Sequence, residues 1–506
     1  MMDDAGEQKR SLDTAFVGGL GWTAGAKWAT QLITWACVLI VARILTPADF
    51  GTVDMAGFYL GLTNILAEFG VGTAVLQMRE LEREALGEMK TVSLMFSAAA
   101  FAVSLAVAPL VASFFHTGEL RLLLVVGSMM LFFSAIQAVP LGLLQRDMDY
   151  RRLAISEMVM AAVQGAVTVG CAVAGFRYWA LLVGVLAGKA TYAAMTSYWK
   201  PVPYAMPRWR QVMAPLRFGF EVATARLAWA AYTQCDAIIV GRVLGTSALG
   251  PYRFAINFAS IPAEKIGTLI MRVTGPLFAR IQDDKALVRR YFLIINEMLT
   301  LVIFPLAFGM AIVAPDLVRV VLGPKWSAAV GPMQCLALFM AFRDTSTLFG
   351  QILTSQRQTR FLMWISILNF VVMPVSFYFA SRWGATAIAA AWIVMTPVTV
   401  LPTALRLLRT IDCSLREYIL VLTPPILGSV AMAGAVLALK AWLLPATWPA
   451  LGRLTAQVAV GGVAYAAVLL GPYRSKVLKY VRFFLQLRKQ RDALGDKTVS
   501  AVSGLV

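Results

Sequence analysis

Long apolar runs, separated by short charged or proline-bearing stretches, fill almost the whole chain. Each run reaches the ~20 residues that an α-helix needs to cross the hydrocarbon core of a bilayer. Six fall near residues 18–42, 48–76, 91–115, 121–144, 154–176 and 178–198. Six more fall near 215–241, 247–271, 291–314, 329–354, 361–381 and 384–405, with a last pair near 418–440 and 451–471. The pattern predicts an all-α polytopic membrane protein with about 14 transmembrane helices.

No interval between runs could hold a soluble domain of ~100 residues, which excludes an appended nucleotide-binding or glycosyltransferase domain. The expected organisation is a polar N-terminus over 1–17, spans one to six over 18–205, spans seven to twelve over 206–408, spans thirteen and fourteen over 409–472, and a tail over 473–506. The N-terminal stretch is of mixed charge, and the apolar run after it is too long for a signal-peptide core, so no cleavage is expected. The tail sets Arg474, Lys476, Lys479, Arg482 and Arg488 around Val477, Leu478, Val481, Phe484 and Leu485. That pattern fits either a basic amphipathic helix on an anionic leaflet or a solvated tail helix.

Composition supports the membrane assignment: 59% of the 506 residues are hydrophobic and 14% are charged, against roughly 25% charged in soluble proteins. The net charge of +18 has a topological explanation before any ligand is invoked. With an even number of spans both termini share a side, and the loops there carry Arg79, Arg83, Lys90, Arg146, Arg151, Arg152, Lys200, Arg208, Arg289 and Arg406. Opposite loops carry few cations, among them Arg43, Arg121, Arg242, Lys325 and Arg453. This bias predicts cytoplasmic termini. Aromatic residues are not interleaved with the basic ones as on a nucleic-acid platform, so no nucleic-acid partner is expected.

An internal repeat is the most informative feature. Ala42-Arg43-Ile44-Leu45 through Gly51 aligns with Gly241-Arg242-Val243-Leu244 through Gly250 at an offset of 199. Val107-Ala108-Pro109 matches Val313-Ala314-Pro315, and Gln145-Arg146 matches Gln356-Arg357. The offset covers six spans, an even number, so the two halves enter the membrane in the same direction, as in transporters built from parallel repeats. The terminal pair lies outside the repeat.

Ionisable residues inside apolar spans are costly and are functional candidates. By the same offset, Lys27 in the first span falls on Arg226 in the seventh, and Asp54 in the second on Arg253 in the eighth. Cations at equivalent places predict a cationic cavity suited to an anionic group such as a pyrophosphate, for which arginine offers a planar donor fork. The alternative is that Lys27 snorkels to the surface and Arg226 pairs with Glu221. Asp54 and Arg253 are candidates for an ion pair between halves or a charge gate, and Asp236, Arg343 and Asp344 add further charge inside spans. Substrate-binding candidates are therefore Lys27, Arg226, Arg253 and Arg343; coupling or gating candidates are Asp54, Glu221, Asp236 and Asp344. Glu68, Glu157, Lys189 and Glu297 are expected near span ends.

Catalytic signatures are missing: the sole histidine, His116, sits in a short loop near Glu119, and there is no phosphate-binding glycine-rich lysine motif or zinc-protease helix. Five widely spaced cysteines suggest inert thiols rather than disulfides or a metal site. No metal, cofactor or enzymatic activity is expected.

The ordered segments Ala42-Arg-Ile-Leu-Thr-Pro-Ala-Asp-Phe-Gly51, Leu144-Gln-Arg-Asp-Met-Asp-Tyr-Arg-Arg-Leu153, Gly241 through Tyr252, Pro276 through Asp284, and Leu322-Gly-Pro-Lys-Trp326 resemble the polysaccharide transport family of the multidrug/oligosaccharidyl-lipid/polysaccharide flippase superfamily. The resemblance covers about residues 15 to 430. It implies a V-shaped transporter with two six-span lobes plus two further spans in the bacterial inner membrane. It also implies flipping of undecaprenyl-pyrophosphate-linked oligosaccharide to the periplasmic leaflet, for exopolysaccharide, capsule or O-antigen, by alternating access around a cationic cavity. A polysaccharide polymerase and co-polymerase are the candidate protein partners. Rival readings are a drug or cation antiporter of the same superfamily, which needs an acidic pocket, a polymerase or ligase, which needs a large external loop, and a membrane scaffold.

Overall fold

The computed structural model describes residues 27–68, 82–208, 233–443 and 448–474, together with the single positions Gly25, Val75, Leu227 and Ala230. Among the described residues there are helices and turns and no strand. In chain order they are α1 (Lys27–Ile44), α2 (Pro47–Glu68), α3 (Arg83–Phe114), α4 (Glu119–Gly127), α5 (Met130–Arg146), α6 (Tyr150–Val173) and α7 (Tyr178–Trp199). Then come α8 (Cys235–Ile239), a π-helical turn (Val240–Leu244), α9 (Thr246–Arg280), α10 (Lys285–Val321), a 3-10 turn (Pro324–Ala329), α11 (Val330–Ser355) and α12 (Thr359–Ala380). A second 3-10 turn (Ser381–Trp383), α13 (Ala385–Thr399), α14 (Leu401–Thr410), α15 (Leu415–Trp442) and α16 (Ala450–Leu470) complete the fold.

Ten helical segments among the described residues are long and apolar enough to cross a membrane, and the protein is a multi-pass membrane protein. Three long helices, α2, α9 and α11, fall outside those ten. They are the helices that carry Asp54, Arg253 and the Arg343-Asp344 pair, whereas Lys27 lies on α1, one of the ten. Most of the seventh predicted span, up to residue 232 save Leu227 and Ala230, and nearly all of the basic tail lie outside the described residues.

Helix ends follow local chemistry. Thr46 and Asp49 form a capping box around Pro47: the Thr46 N–H and hydroxyl donate to Asp49 Oδ2 at 2.9 and 2.6 Å, and the Asp49 N–H donates back to Thr46 Oγ1 at 3.3 Å. Proline is pre-set for the first helical position, where its missing N–H costs nothing. Ser414 and Glu417 build the same device on α15. Helices α6 and α10 begin at Tyr150 and Lys285, earlier than the apolar runs. Glu157 and Glu297 therefore stand two to three turns inside their helices rather than near the ends, Glu297 being buried; Lys189 likewise sits midway along α7. The predicted span over 121–144 is broken into α4 and α5 at Ser128-Met129.

The described residues divide into two compact units. One takes Met1–Phe254, Val321–Ala329 and Pro374–Ile388, and the other Ala255–Val320, Val330–Met373 and Ala389–Val506. In the first unit α6 and α7 pack closely because Gly184 and Gly188 lie one turn apart and bring α7 onto Gln164 and Thr168 of α6. The core of the second unit gathers Phe278, Phe292, Phe349, Ile352 and Leu407. Along α12, Trp364, Phe370, Val371 and Tyr378 are exposed, as expected of a face turned to lipid.

A Cβ at Gly184 would fall inside the contact radius of the Thr168 hydroxyl, whereas one at Gly170 meets nothing within 4 Å. Gly184→Val should cost about 1–3 kcal/mol and lower the midpoint of thermal unfolding in detergent. Gly170→Ala, in the same pair of helices, should leave it unchanged or slightly higher.

Candidate functional site

The site lies in the first unit, where helices equivalent by the repeat meet at one point. A Cβ on Gly51 of α2 would run into the carbonyl of Thr246, the first residue of α9, and a Cβ on Gly250 of α9 would run into the carbonyl of Pro47, the first residue of α2. Gly51 maps onto Gly250 and Pro47 onto Thr246 at the offset of 199. The contact is thus reciprocal, as around a local two-fold axis, and only glycine allows the two backbones to touch.

One turn further along each helix the same logic places Asp54 opposite Arg253. Arg253 Nε stands 3.8 Å from Asp54 Oδ1, an ionic contact longer than a hydrogen bond. The guanidinium also donates to Gln234 Oε1 at 2.8 Å and lies over the Phe58 ring, 5.5 Å from its centroid. Its Nε has no hydrogen-bond partner. The crossing is packed by Phe50, Phe254 and Trp326, with ring centroids 4.4–5.3 Å apart.

Two loops clasp this end of the unit. Lys325 donates to the carbonyls of Arg43 and Leu45 at 2.7 and 2.6 Å, and Trp326 Nε1 donates to the Ala42 carbonyl at 2.9 Å. These are the orphan carbonyls at the C-terminal end of α1, where a cation is also favoured by the helix dipole. Burial pushes the Lys325 ammonium below its ordinary range, with the Asp49 carboxylate working against the shift. In the other half, Arg242 reaches both ring nitrogens of His116, 3.1 Å from Nε2, and its guanidinium lies over Phe114. The Val-Ala-Pro match, carried forward along the chain, sets the His116 loop on the Lys325 loop. Each half therefore sends the loop after its long third helix onto the corner where the opposite half turns.

Beside the crossing a cavity of about 330 Å³ opens among α1, α2, α6 and α7, lined by Thr30, Thr34, Cys37, Asp54, Gln164 and Thr168 as well as apolar groups. Thr30, Thr34, Cys37 and Val41 share one face of α1 through alternating spacings of three and four residues, and Lys27 extends that face by one turn. Glu157 does the same for the Gln164 and Thr168 face of α6. Lys27 and Glu157 lie within electrostatic reach of each other, although Lys27 itself is exposed. The Thr30 hydroxyl is buried without a partner.

The sequence candidates are thus distributed as follows. Asp54 and Arg253 are brought together. Lys27 stands at the mouth of the stripe that leads to them, and both described cations have an acidic neighbour, so this part of the site is charge-paired. Asp236 is buried on α8, accepting from the Tyr252 hydroxyl and the Ala237 N–H at 2.7 Å each. Arg343 lies on α11 in the second unit, where Ser346 and Thr347 donate to its carbonyl. Arg226 and Glu221 lie outside the described residues, as does the side chain of Asp344. Sequence reasoning missed the donors Lys325 and Trp326 as working residues, although both stand in a quoted segment, and missed the threonine and glutamine stripe, which carries no charge to flag it.

Single reversals, Asp54→Arg or Arg253→Asp, place like charges at the crossing, and the double reversal restores the pair. A thermal-stability cycle should give a coupling of about 0.5–3 kcal/mol. Strictly additive changes would mean that the two side chains do not meet.

Residues 40–331 match the family described as "Polysaccharide biosynthesis protein". The chain is 25% identical over 486 residues to the succinoglycan biosynthesis transport protein ExoT of Rhizobium meliloti (strain 1021), covering 94% of this chain and 96% of that one. It is 24% identical over 486 residues to the teichuronic acid biosynthesis protein TuaB of Bacillus subtilis (strain 168), covering 93% and 99%. The fold is shared with the lipid II flippase MurJ in an inward closed conformation, with a TM-score of 0.68 at 12% identity over 90% of this chain and 99% of that one.

Proposed function

The chain belongs to the polysaccharide biosynthesis protein family, and from that premise we propose that it is a lipid-linked oligosaccharide flippase. It moves undecaprenyl-pyrophosphate-linked glycan units from the cytoplasmic to the periplasmic leaflet of the bacterial inner membrane, for exopolysaccharide, capsule or O-antigen. It is a transporter and not an enzyme. Near full-length similarity to a succinoglycan biosynthesis transport protein and a fold in common with a lipid II flippase support this reading.

The observation that carries it is the loosely held arginine at the crossing. A guanidinium 3.8 Å from its carboxylate, with Nε free of any hydrogen bond, can exchange that partner for phosphate oxygens, which match its fork better. Lys27, Arg226 and Arg253 are the pyrophosphate contacts in this mechanism. The sugars occupy the cavity beside Thr30, Thr34, Gln164 and Thr168, and the lipid tail stays in the bilayer. Asp54 is the coupling residue: its protonation or displacement releases Arg253. Glu221, Asp236 and Asp344 complete the coupling and gating set, with Asp236 holding Tyr252, the neighbour of Arg253 on α9.

The charge bias of the loops assigns the Arg43, His116, Arg242 and Lys325 end to the periplasm and both termini to the cytoplasm. The reciprocal glycine contact and the two clasps then make the periplasmic closure of an alternating-access cycle. A polymerase and co-polymerase are the proposed protein partners.

The test is transfer of a fluorescent undecaprenyl-pyrophosphate oligosaccharide between leaflets of proteoliposomes, with verified equal insertion of each variant. Lys27→Ala, Arg226→Ala and Arg253→Ala should each lower the rate by about ten-fold or more, the scale of one lost charge-assisted contact. Transfer unaffected by all three would remove the pyrophosphate site. No transfer by the wild type under an imposed proton gradient and potential would overturn the flippase assignment in favour of the antiporter.

A further inference from the structure

Helix α10 runs unbroken through two internal prolines, Pro305 and Pro315. A proline inside a helix deprives the carbonyl four residues before it of a donor, here those of Leu301 and Ala311. In hydrocarbon no water replaces the lost bond, so another protein group must. Both carbonyls are answered by side chains from elsewhere in the second unit. The Tyr465 hydroxyl of α16 donates to the Leu301 carbonyl at 2.6 Å, and Gln334 Nε2 of α11 donates to the Ala311 carbonyl at 3.1 Å.

The α15–α16 hairpin does more than supply one hydroxyl. Lys440 of α15 donates to the Ile312 carbonyl at 2.6 Å, beside the second proline. Asp316, the residue after Pro315, is 8% exposed. It is held by Arg453 at 2.7 Å and by Gln457 at 2.8 Å, both from α16. On α16, Arg453, Gln457, Gly461 and Tyr465 recur every four residues, which places them in one row along the helix. Every member of that row meets α10 or α15: Gly461 admits Met432 and Val436 of α15, and the other three bond to α10. A row of this chemistry facing lipid would be expensive. Its good environment among the described residues is the side of α10 that carries the Leu301 carbonyl and Asp316.

We propose that the terminal pair of spans is a fixed splint for α10. It supplies the donors and the counter-charge that let a helix with two internal prolines persist in the membrane, and it stays docked through the transport cycle instead of opening as a gate. Tyr465, Lys440, Arg453 and Gln457 are positioning residues: they act on substrate movement only through the shape of α10. The transport arm of the test rests on the flippase reading, and the stability arm does not.

Tyr465→Phe removes one donor and almost nothing else. Its rate of heat inactivation in detergent should rise about ten-fold, the equivalent of one buried carbonyl left bare, and transfer should fall with it. The decisive variant adds Gly309→Cys and Met432→Cys, in a background where the five native cysteines are replaced. A Cβ placed on Gly309 of α10 would stand 3.6 Å from the Met432 methyl of α15, so a short bifunctional thiol reagent can tie the hairpin to the helix. A splint predicts that the tie restores the heat stability of Tyr465→Phe and leaves wild-type transfer within about two-fold. A gate predicts that the tie stops transfer and that cleaving the reagent restores it, which would overturn the proposal. If the wild type transfers nothing, the stability arm still decides: no faster inactivation of Tyr465→Phe, or no rescue by the tie, sinks the splint without reference to the flippase.

Discussion

A carbonyl oxygen in hydrocarbon has no water to turn to, and that constraint orders the chemistry of this protein. At the end of α1 and at the two prolines of α10 a specific side chain arrives from another element. The C-terminal carbonyls of α1 receive Lys325 and Trp326, and those freed by the two prolines of α10 receive Tyr465 and Gln334. The donors lie far away in sequence, so backbone satisfaction becomes a long-range tertiary force. It ties loops to corners and the terminal hairpin to its neighbour more specifically than apolar packing in lipid can, since lipid tails compete equally well for apolar surface.

Charge is handled under the same rule with the opposite aim. Asp316 is fully answered by Arg453 and Gln457, and Asp236 by Tyr252 and a backbone N–H; these acids are fixed. Asp54 and Arg253 are different, because their contact is ionic but too long to be a hydrogen bond. An ion pair held short of its best geometry retains part of its affinity for a third party. The contrast separates charges that hold the fold from charges that are free to serve a passenger, and the distances draw the line more sharply than residue type does.

The apolar runs made the helices legible almost to the residue where no proline or serine interrupted them: the run over 178–198 became Tyr178–Trp199, and that over 451–471 became Ala450–Leu470. They failed where amphipathic turns extend a helix past its apolar part, as at Lys285 and Tyr150, because hydropathy reads lipid contact and not hydrogen bonding. The repeat made the meeting of Asp54 and Arg253 legible, since positions equivalent about a two-fold axis and close to it must face each other. The threonine and glutamine stripe stayed hidden because uncharged polar residues are common in membrane helices. The role of Lys325 was equally out of reach: which carbonyl a lysine caps is set by the path of a chain almost three hundred residues away.

The reciprocal contact of Gly51 and Gly250 also bears on how such a chain could have arisen. In a symmetric pair of identical six-span subunits, any residue beside the axis faces its own copy. Position 54 would then meet itself, aspartate against aspartate or arginine against arginine, and an axial salt bridge could not be encoded. Joining the two copies in one polypeptide frees the positions to diverge, so that one side keeps the acid and the other takes the base. The Asp54–Arg253 pair is thus a chemistry open to a fused duplicate and closed to the homodimer, whereas the glycines beneath it, which serve both partners alike, had no reason to differ.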